Sequence, residues 1–225
     1  MARKKPSEQD LYPWVKSWLL RNASCFDAHV NPGIVHGRLD VVGLRDVGGD
    51  LSGEAELVSV EVKTGGPFAT AAGQASGYSV YAERCYLAWL LPKGEWFSAG
   101  QAAIASALGV GLLAIRSNHR IEEVSTAPLR QPLRGLRLRL VDAMGYAECA
   151  VCKSIFKRGD KKNSRRYVKA AGKRPGALVR AVQEEKGYMY WLREVDERQT
   201  PQRQFMYARR HLCADCASAL FRDFS

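Results

Sequence analysis

Apolar residues follow two rhythms along the first half of the chain. In SEQDLYPWVKSWLLRN, Leu11, Trp14, Val15, Trp18 and Leu19 recur at the three- and four-residue spacing of one helical face. Ser7 stands where an N-cap is expected, and Pro13 predicts an irregular first turn or a later helix start. CFDAHV reads as a short strand ended by Asn31-Pro32-Gly33. LDVVGLR and ELVSVEVK read as an antiparallel pair joined by the Gly-rich turn DVGGDLSG. ATAAGQASGYSVYAER predicts a second helix, weakened by Gly73 and Gly77. YLAWLL, ended by Pro92, predicts a buried strand; SAGQAAIASALG predicts an Ala-rich helix closed by Gly109; and GLLAIRS predicts a further strand. The predicted order is α-β-β-β-α-β-α-β, which makes the fold class α/β. A linker with Pro128 and Pro132 follows. Beyond it, Leu136, Leu138 and Leu140 alternate with Arg137 and Arg139, which predicts a strand with one apolar and one cationic face.

Composition divides the chain. The 225 residues, 46% hydrophobic, suit one large domain or two small ones. No stretch approaches the roughly 20 apolar residues of a membrane span, and MARKKPSEQD has no apolar h-region, so a cytoplasmic protein without membrane partners is expected. The net charge is +11, but residues 1–120 carry 12 Lys/Arg against 11 Asp/Glu, while residues 121–225 carry 22 against 12. A near-neutral half joined to a strongly basic one predicts a polyanionic partner. The sequence contains no G-x-x-x-x-G-K-[ST] nucleotide loop.

The densest candidate chemistry is Asp40, in GRLDVVGL, followed by Glu61-Val62-Lys63, in VSVEVK. Side chains alternate along a strand, so Glu61 and Lys63 share a face, and Asp40 begins the partner strand. Two carboxylates beside an ammonium suit hydrolysis of a phosphodiester. Mg²⁺ or Mn²⁺ takes oxygen ligands, lowers the pKa of bound water and clamps the phosphate. The competing reading is a half-buried surface strand, with Val58, Val60 and Val62 inward and Ser59, Glu61 and Lys63 in solvent. Against it, LDVVGL is apolar on both faces, as in a covered strand, where an aspartate needs a partner.

These residues resemble the PD-(D/E)xK nuclease superfamily, the restriction-endonuclease-like fold, over about residues 7–117. Asp40 matches the motif aspartate, Glu61 the second acid and Lys63 the lysine; Leu39 stands where the motif's name has proline. Glu8 matches an acid that many members, including junction resolvases and Mrr-like enzymes, place near the metal. Gln74 matches a glutamine of the following helix, and Tyr78 lies one turn further on. Helix-terminal acids are also common without such a role, so Glu8 and Gln74 are the less specific members. The resemblance implies a mixed central sheet flanked by helices. It also implies a metal-dependent deoxyribonuclease in which Asp40, Glu61 and Glu8 hold Mg²⁺ or Mn²⁺. Lys63 would orient or deprotonate water or stabilise charge, and Gln74 would position phosphate or nucleophile. A homodimer would suit cutting of two strands.

The basic half holds Cys149-x-x-Cys152 and Cys213-x-x-Cys216, four thiols suited to structural Zn²⁺. An iron–sulfur cluster is the alternative. The module loosely resembles a treble-clef finger, with the second knuckle expected at a helix start. His211 is a further possible ligand, and Cys25 and Cys85 read as core residues. Between the knuckles, nine basic residues fall within eighteen positions: Lys157, Arg158, Lys161, Lys162, Arg165, Arg166, Lys169, Lys173 and Arg174. They are expected to contact nucleic-acid phosphates. Tyr167, Tyr188, Tyr190 and Trp191 are read either as stacking residues or as part of a buried strand. The expected organisation is a nuclease-like domain over 1–120, a linker and strand over 121–147, and a small α+β zinc-binding domain with a basic insert over 148–225. Two alternatives stand beside a DNA-cutting enzyme: a non-catalytic zinc-containing nucleic-acid-binding protein on the same scaffold, and RNA as target.

Overall fold

The structure is a computed structural model that describes residues 6–34, 37–48, 53–157, 167–168, 180–184, 187–194, 206–213 and 216. The chain divides into two compact units, Met1–Val47 with Ala55–Met144, and Gly48–Glu54 with Gly145–Ser225.

The first unit is α/β. Helix α1 (Glu8–Arg21) starts where Ser7 caps it. The Ser7 hydroxyl accepts the Asp10 N–H, and the Asp10 carboxylate accepts the Ser7 N–H, a reciprocal capping box. Pro13 lies inside an unbroken helix, so the expected late or irregular start does not occur. The one bond that proline removes would have gone to Gln9, a residue exposed to solvent. The strands are β1 (Cys25–Val30), the short hairpin β2 (Gly33–Ile34) and β3 (Gly37–Arg38), β4 (Val41–Asp46), β5 (Ala55–Lys63), β6 (Arg84–Leu90), β7 (Gly111–Ile115) and β8 (Ile121–Ser125). Helix α2 (Phe68–Gly77), extended by a 3₁₀ turn over Tyr78–Val80, joins β5 to β6, and α3 (Ala99–Ala107) joins β6 to β7.

Six strands form one mixed sheet in the order β1-β4-β5-β6-β7-β8. β5, β6 and β7 run parallel; β1, β4 and β8 are antiparallel to their neighbours. On one face Leu11, Val15, Trp18 and Leu19 of α1 pack on Val58, Val60, Val62, Tyr86 and Ala88. On the other, Ala71, Ala72 and Ala75 of α2 and Ala105 of α3 pack on Leu87, Trp89, Leu112 and Ala114. Small alanines on this second face let the helices approach the sheet closely, and the large groups come from the strands. β5 is therefore covered on both sides, and Ser59 and Glu61 are 0% and 3% exposed. The surface-strand reading of β5 fails because α2 covers the face that it left to solvent.

The linker and strand expected over 121–147 are corrected. Residues 121–125 form β8, and LRLRL lies in helix α4 (Arg134–Ala143). Leu and Arg favour helix, whereas the residues that favour strands are β-branched or aromatic. The buried positions, Leu140, Val141 and Met144, continue the face of Arg137 at helical spacing. Arg137 itself reaches the Glu83 carboxylate and the Ala55 carbonyl. Propensity and burial thus outweigh a five-residue alternation. Among the described residues, no helix is long and apolar enough to cross a membrane.

The second unit has a hairpin of β9 (Tyr146–Glu148) and β10 (Ile155–Lys157). It also has a four-stranded antiparallel sheet in the order β11 (Tyr167–Val168), β12 (Arg180–Glu184), β13 (Gly187–Glu194) and β14 (Met206–Cys213). GYMYWL falls on β13, as its apolar run predicts. The expected helix start at the second knuckle falls mostly outside the described residues.

The α3–β7 junction is tightly specified. Gly109 takes φ +64°, its N–H bonding the Ser106 carbonyl while Val110 N–H bonds the Ala105 carbonyl, which completes a Schellman cap. Two residues on, a Cβ at Gly111 would lie 2.5 Å from the Ala127 amide nitrogen and from the Tyr86 ring. Gly111→Ala is expected to lower the stability of the chain by about 2–3 kcal/mol in chemical denaturation, through overpacking against backbone. An unchanged midpoint would show that this junction is loose.

Candidate functional site: a carboxylate–lysine centre and a four-cysteine cluster

The antiparallel ladder between β4 and β5 places Asp40. β4 begins at Val41, paired with Val60, so β5 runs on past its partner. The Val62 N–H then has no β4 carbonyl to bond, and Asp40 Oδ2 accepts it at 2.8 Å. Asp40 is held from behind as well, its carbonyl accepting the Asn31 N–H at 2.9 Å. One side-chain oxygen of Asp40 is thus tied to the middle residue of the Glu61-Val62-Lys63 triplet. Its other oxygen, Oδ1, accepts the Tyr12 hydroxyl from α1 at 2.8 Å.

Glu61 lies beneath the end of α2, where burial demands partners for a carboxylate. It has two. Lys63 Nζ stands 2.7 Å from Oε1, and the Tyr78 hydroxyl donates to Oε2. Lys63 also reaches Glu8 Oε2, on the first turn of α1, at 3.5 Å. Asp40, Glu61, Lys63 and Glu8 are therefore one hydrogen-bonded constellation, drawn from α1, the start of β4 and the carboxyl end of β5. Gln74 is exposed on α2, and among the described residues no hydrogen bond ties it to the constellation. The contact from that segment comes from Tyr78 instead. Sequence reasoning passed over Tyr12, although its position four residues after Glu8 puts both on the same side of α1. Tyr78 bore the same relation to Gln74.

The electrostatics follow from crowding. Burial, and after it the nearby Glu61 charge, push the Asp40 carboxyl up to about 6, with the Val62 N–H, the Tyr12 hydroxyl and Lys63 only partly offsetting them. Burial and the carboxylate contacts raise both Tyr12 and Tyr78, so each remains a neutral donor. Burial lowers Lys63, but its contacts with Glu61, Glu8 and Asp40 outweigh that, and its pKa is raised above the usual lysine value. The ammonium is a fixed cation among three acids, with an unbalanced negative excess around it.

In the second unit, the first knuckle is the tip of the β9–β10 hairpin. Cys149 N–H donates to the Ser154 carbonyl at 2.8 Å and Lys153 N–H to the Cys149 carbonyl at 3.1 Å, and Lys153 takes the left-handed φ of +65° needed to turn the chain. The second pair arrives on β14, whose His211 carbonyl accepts the Ala150 N–H at 2.9 Å. The ligand atoms of Cys149, Cys152, Cys213 and Cys216 all lie within 4.8 Å of one another. The Cys152–Cys213 sulfur separation of 3.7 Å is close to the edge of a tetrahedron with ~2.3 Å metal–sulfur bonds, about 3.8 Å. The Cys216 N–H points at Cys213 Sγ, 3.4 Å away. Burial raises the Cys152 thiol, but Ser154 and the neighbouring thiols more than offset it, and it falls to about 7. The four residues can hold a metal ion. His211 contributes backbone to this arrangement, and its ring packs edge-on against Phe156. Cys25 and Cys85 are buried free thiols, as expected of core residues.

Of the basic insert, Lys157 ends β10 and is exposed. Arg158, Lys161, Lys162, Arg165, Arg166, Lys169, Lys173 and Arg174 lie outside the described residues.

No protein-family model matches this sequence. No curated protein matches it. A solved structure similar to this chain is that of a protein of unknown function from Silicibacter pomeroyi. It is 22% identical, over 62% of this chain and 85% of that one, with a TM-score of 0.43.

The Asp40 environment couples the stability of the fold to pH. The folded carboxyl titrates at about 6 against an ordinary 3.8, so over that window the native state holds a proton that the unfolded chain has lost. Stability therefore falls as pH rises from about 4 to 6, and the full penalty persists above it. Asp40→Asn keeps an acceptor for Val62 and removes the charge. In chelator, it is expected to stabilise the protein by about 1 kcal/mol at pH 7.5, after discounting for solvent screening, with the gain vanishing at pH 4. A gain independent of pH, or a loss at pH 7.5, would contradict the assignment.

Proposed function

We propose that this protein is a metal-dependent nuclease, with a PD-(D/E)xK-type centre in its first unit and a zinc-holding, basic second unit that engages DNA. One observation carries the reading. The Asp40 carboxylate is bonded to the backbone of the Glu61-Val62-Lys63 triplet, which brings two carboxylates and a lysine to one point at the carboxyl end of β5.

The donor set fits Mg²⁺ or Mn²⁺, being all oxygen and anionic in excess. Asp40 and Glu61 each retain acceptor capacity beyond the bonds they make, and Glu8 adds a more exposed oxygen. When bound, such an ion supplies an activated water and a clamp on the phosphoryl oxygens. The remaining work falls to side chains. Tyr12 and Tyr78 hold the carboxylates in fixed orientations, so that little rearrangement is needed on substrate binding. Lys63, with its raised pKa, is a cation at neutral pH. It therefore donates to a phosphate oxygen or orients water, and is poorly suited to remove a proton. Gln74 is left the role of a substrate contact on the open side of α2. The four cysteines fit a structural zinc ion by donor chemistry and spacing. DNA is the proposed partner, since phosphate contacts fit the +10 balance of residues 121–225.

The test is cleavage of plasmid and branched DNA with Mg²⁺ or Mn²⁺, for the wild type, Asp40→Ala and Lys63→Ala. Each substitution is expected to lower the rate by about 10²–10³-fold. Equal rates in all three proteins would remove the proposal. DNA binding without cutting under either metal would favour a non-catalytic nucleic-acid-binding protein, and preferential cleavage of RNA would change the target.

The second unit is tested by metal analysis. One zinc per chain, lost in Cys152→Ser together with Cys213→Ser, is the expected result. Visible absorbance from bound iron would replace zinc with an iron–sulfur cluster.

A further inference from the structure

The carboxyl ends of the parallel strands carry more than the carboxylate centre. The turn that leaves β7 at this same end, residues 116–120, folds against α1 through a stacked pair: the Trp14 and His119 rings lie 3.6 Å apart at 23°. His119 takes a left-handed φ of +70° there, with its N–H on the Arg116 carbonyl at 2.9 Å. Between α1 and β8, beside this pair, runs an open groove of about 630 Å³, lined by Trp14, Trp18 and Arg21 on one side and His119, Arg120 and Ile121 on the other. Trp14 stands six residues after Glu8, about 9 Å along α1, and β8 lies three strand spacings from β5, about 14 Å, so the Trp14–His119 end of the groove is within a few nucleotides' reach of the carboxylates. α1 serves both, turning Glu8 and Tyr12 to the acids and Trp14 to the groove.

The charges in the groove are not interchangeable. Glu122 is already neutralised by Arg116 at 3.1 Å and Arg120 at 3.4 Å. Glu123 accepts the Tyr86 hydroxyl at 2.9 Å. Arg21, by contrast, is exposed and, among the described residues, forms no ion pair, while Arg120 is 71% exposed. The groove thus offers aromatic surface together with Arg21 and with Arg120, which shares Glu122 with Arg116, while Glu123 keeps its charge and accepts from Tyr86. Flat π-faces with adjacent positive charge match a nucleotide, base against ring and phosphate against guanidinium. The volume is that of a small-ligand site and is too little for a duplex, whose bases in any case are hidden from ring faces.

We propose that this groove is a subsite for an unpaired stretch of DNA next to the phosphate being cut. Trp14 and His119 form the stacking platform, and Arg21 and Arg120 contact the backbone. The inference deepens the nuclease reading by naming a substrate class, DNA with a single-stranded segment at the cleavage position.

Binding can be measured apart from cutting. In EDTA, the intact protein is titrated into labelled blunt duplex and into the same duplex with a single-stranded extension, read by fluorescence anisotropy. His119→Ala and Arg21→Glu, both at exposed positions outside the core, are each expected to weaken binding of the extended DNA about tenfold and that of the blunt duplex by less than about twofold. Tryptophan emission is expected to be quenched by the extended DNA in the wild type and much less in Trp14→Phe. Unchanged affinity for the extended DNA, or equal losses on both, would overturn the subsite. Because no metal or turnover enters these measurements, failure to cleave any DNA would count against the nuclease reading alone, and the predicted binding difference would still stand or fall by itself.

Discussion

The burial of β5 on both faces is the constraint on which the rest of the first unit depends. A strand covered by α1 on one side and α2 on the other has no solvent to satisfy a charged side chain, yet it carries Glu61 at 3% exposure. The cost of burying that carboxylate is met by Lys63 on the same strand and Tyr78 after α2. The same geometry makes β5 outrun β4, and the unpaired Val62 N–H then draws in Asp40. The carboxylate centre is thus a consequence of where one central strand ends relative to its neighbour. It is also strained electrostatically, since Asp40 is pushed towards neutrality beside Glu61. Clusters of this kind occur where a site is built for a ligand more often than where a fold is built for stability.

The two faces of the sheet divide the labour. The α1 face supplies large side chains, and α1 itself contributes Glu8 and Tyr12 to the centre and Trp14 to the groove beside β8. The α2–α3 face is lined with alanines, and this close packing brings the Tyr78 hydroxyl down onto Glu61. In open α/β sheets ligands gather at the carboxyl ends of the strands, and both features lie there. The second unit follows a different logic. Its hairpin and β14 bring the four cysteines together, and a four-thiol cluster is a compact way to hold such elements.

Much of this was legible because the signals were local. Ser7, the spacing of Leu11 to Leu19, the alternation in β5 and the Gly109 stop each act within a few residues, and helices α1 and α3 with strands β1, β4, β5, β6 and β7 follow them. The failures were also local in form. LRLRL alternates like a strand, but its residues prefer helix and its buried face has helical spacing. IEEVS has too weak a pattern to be told from linker, and it becomes β8 only because β7 offers an open edge.

The sequence alone determined the element types from α1 to β7, the charge division, the two cysteine pairs and the candidacy of Asp40, Glu61, Lys63 and Glu8, since these depend on composition and short-range periodicity. Only the tertiary structure decided that β5 is central, that Val62 N–H links Asp40 to the triplet, that Tyr12 and Tyr78 hold the acids while Gln74 stays in solvent, and that Trp14 meets His119. Each of these joins residues from different elements. Such contacts depend on strand order, on where one strand ends against another and on which helix covers which face, and no window of sequence contains that information.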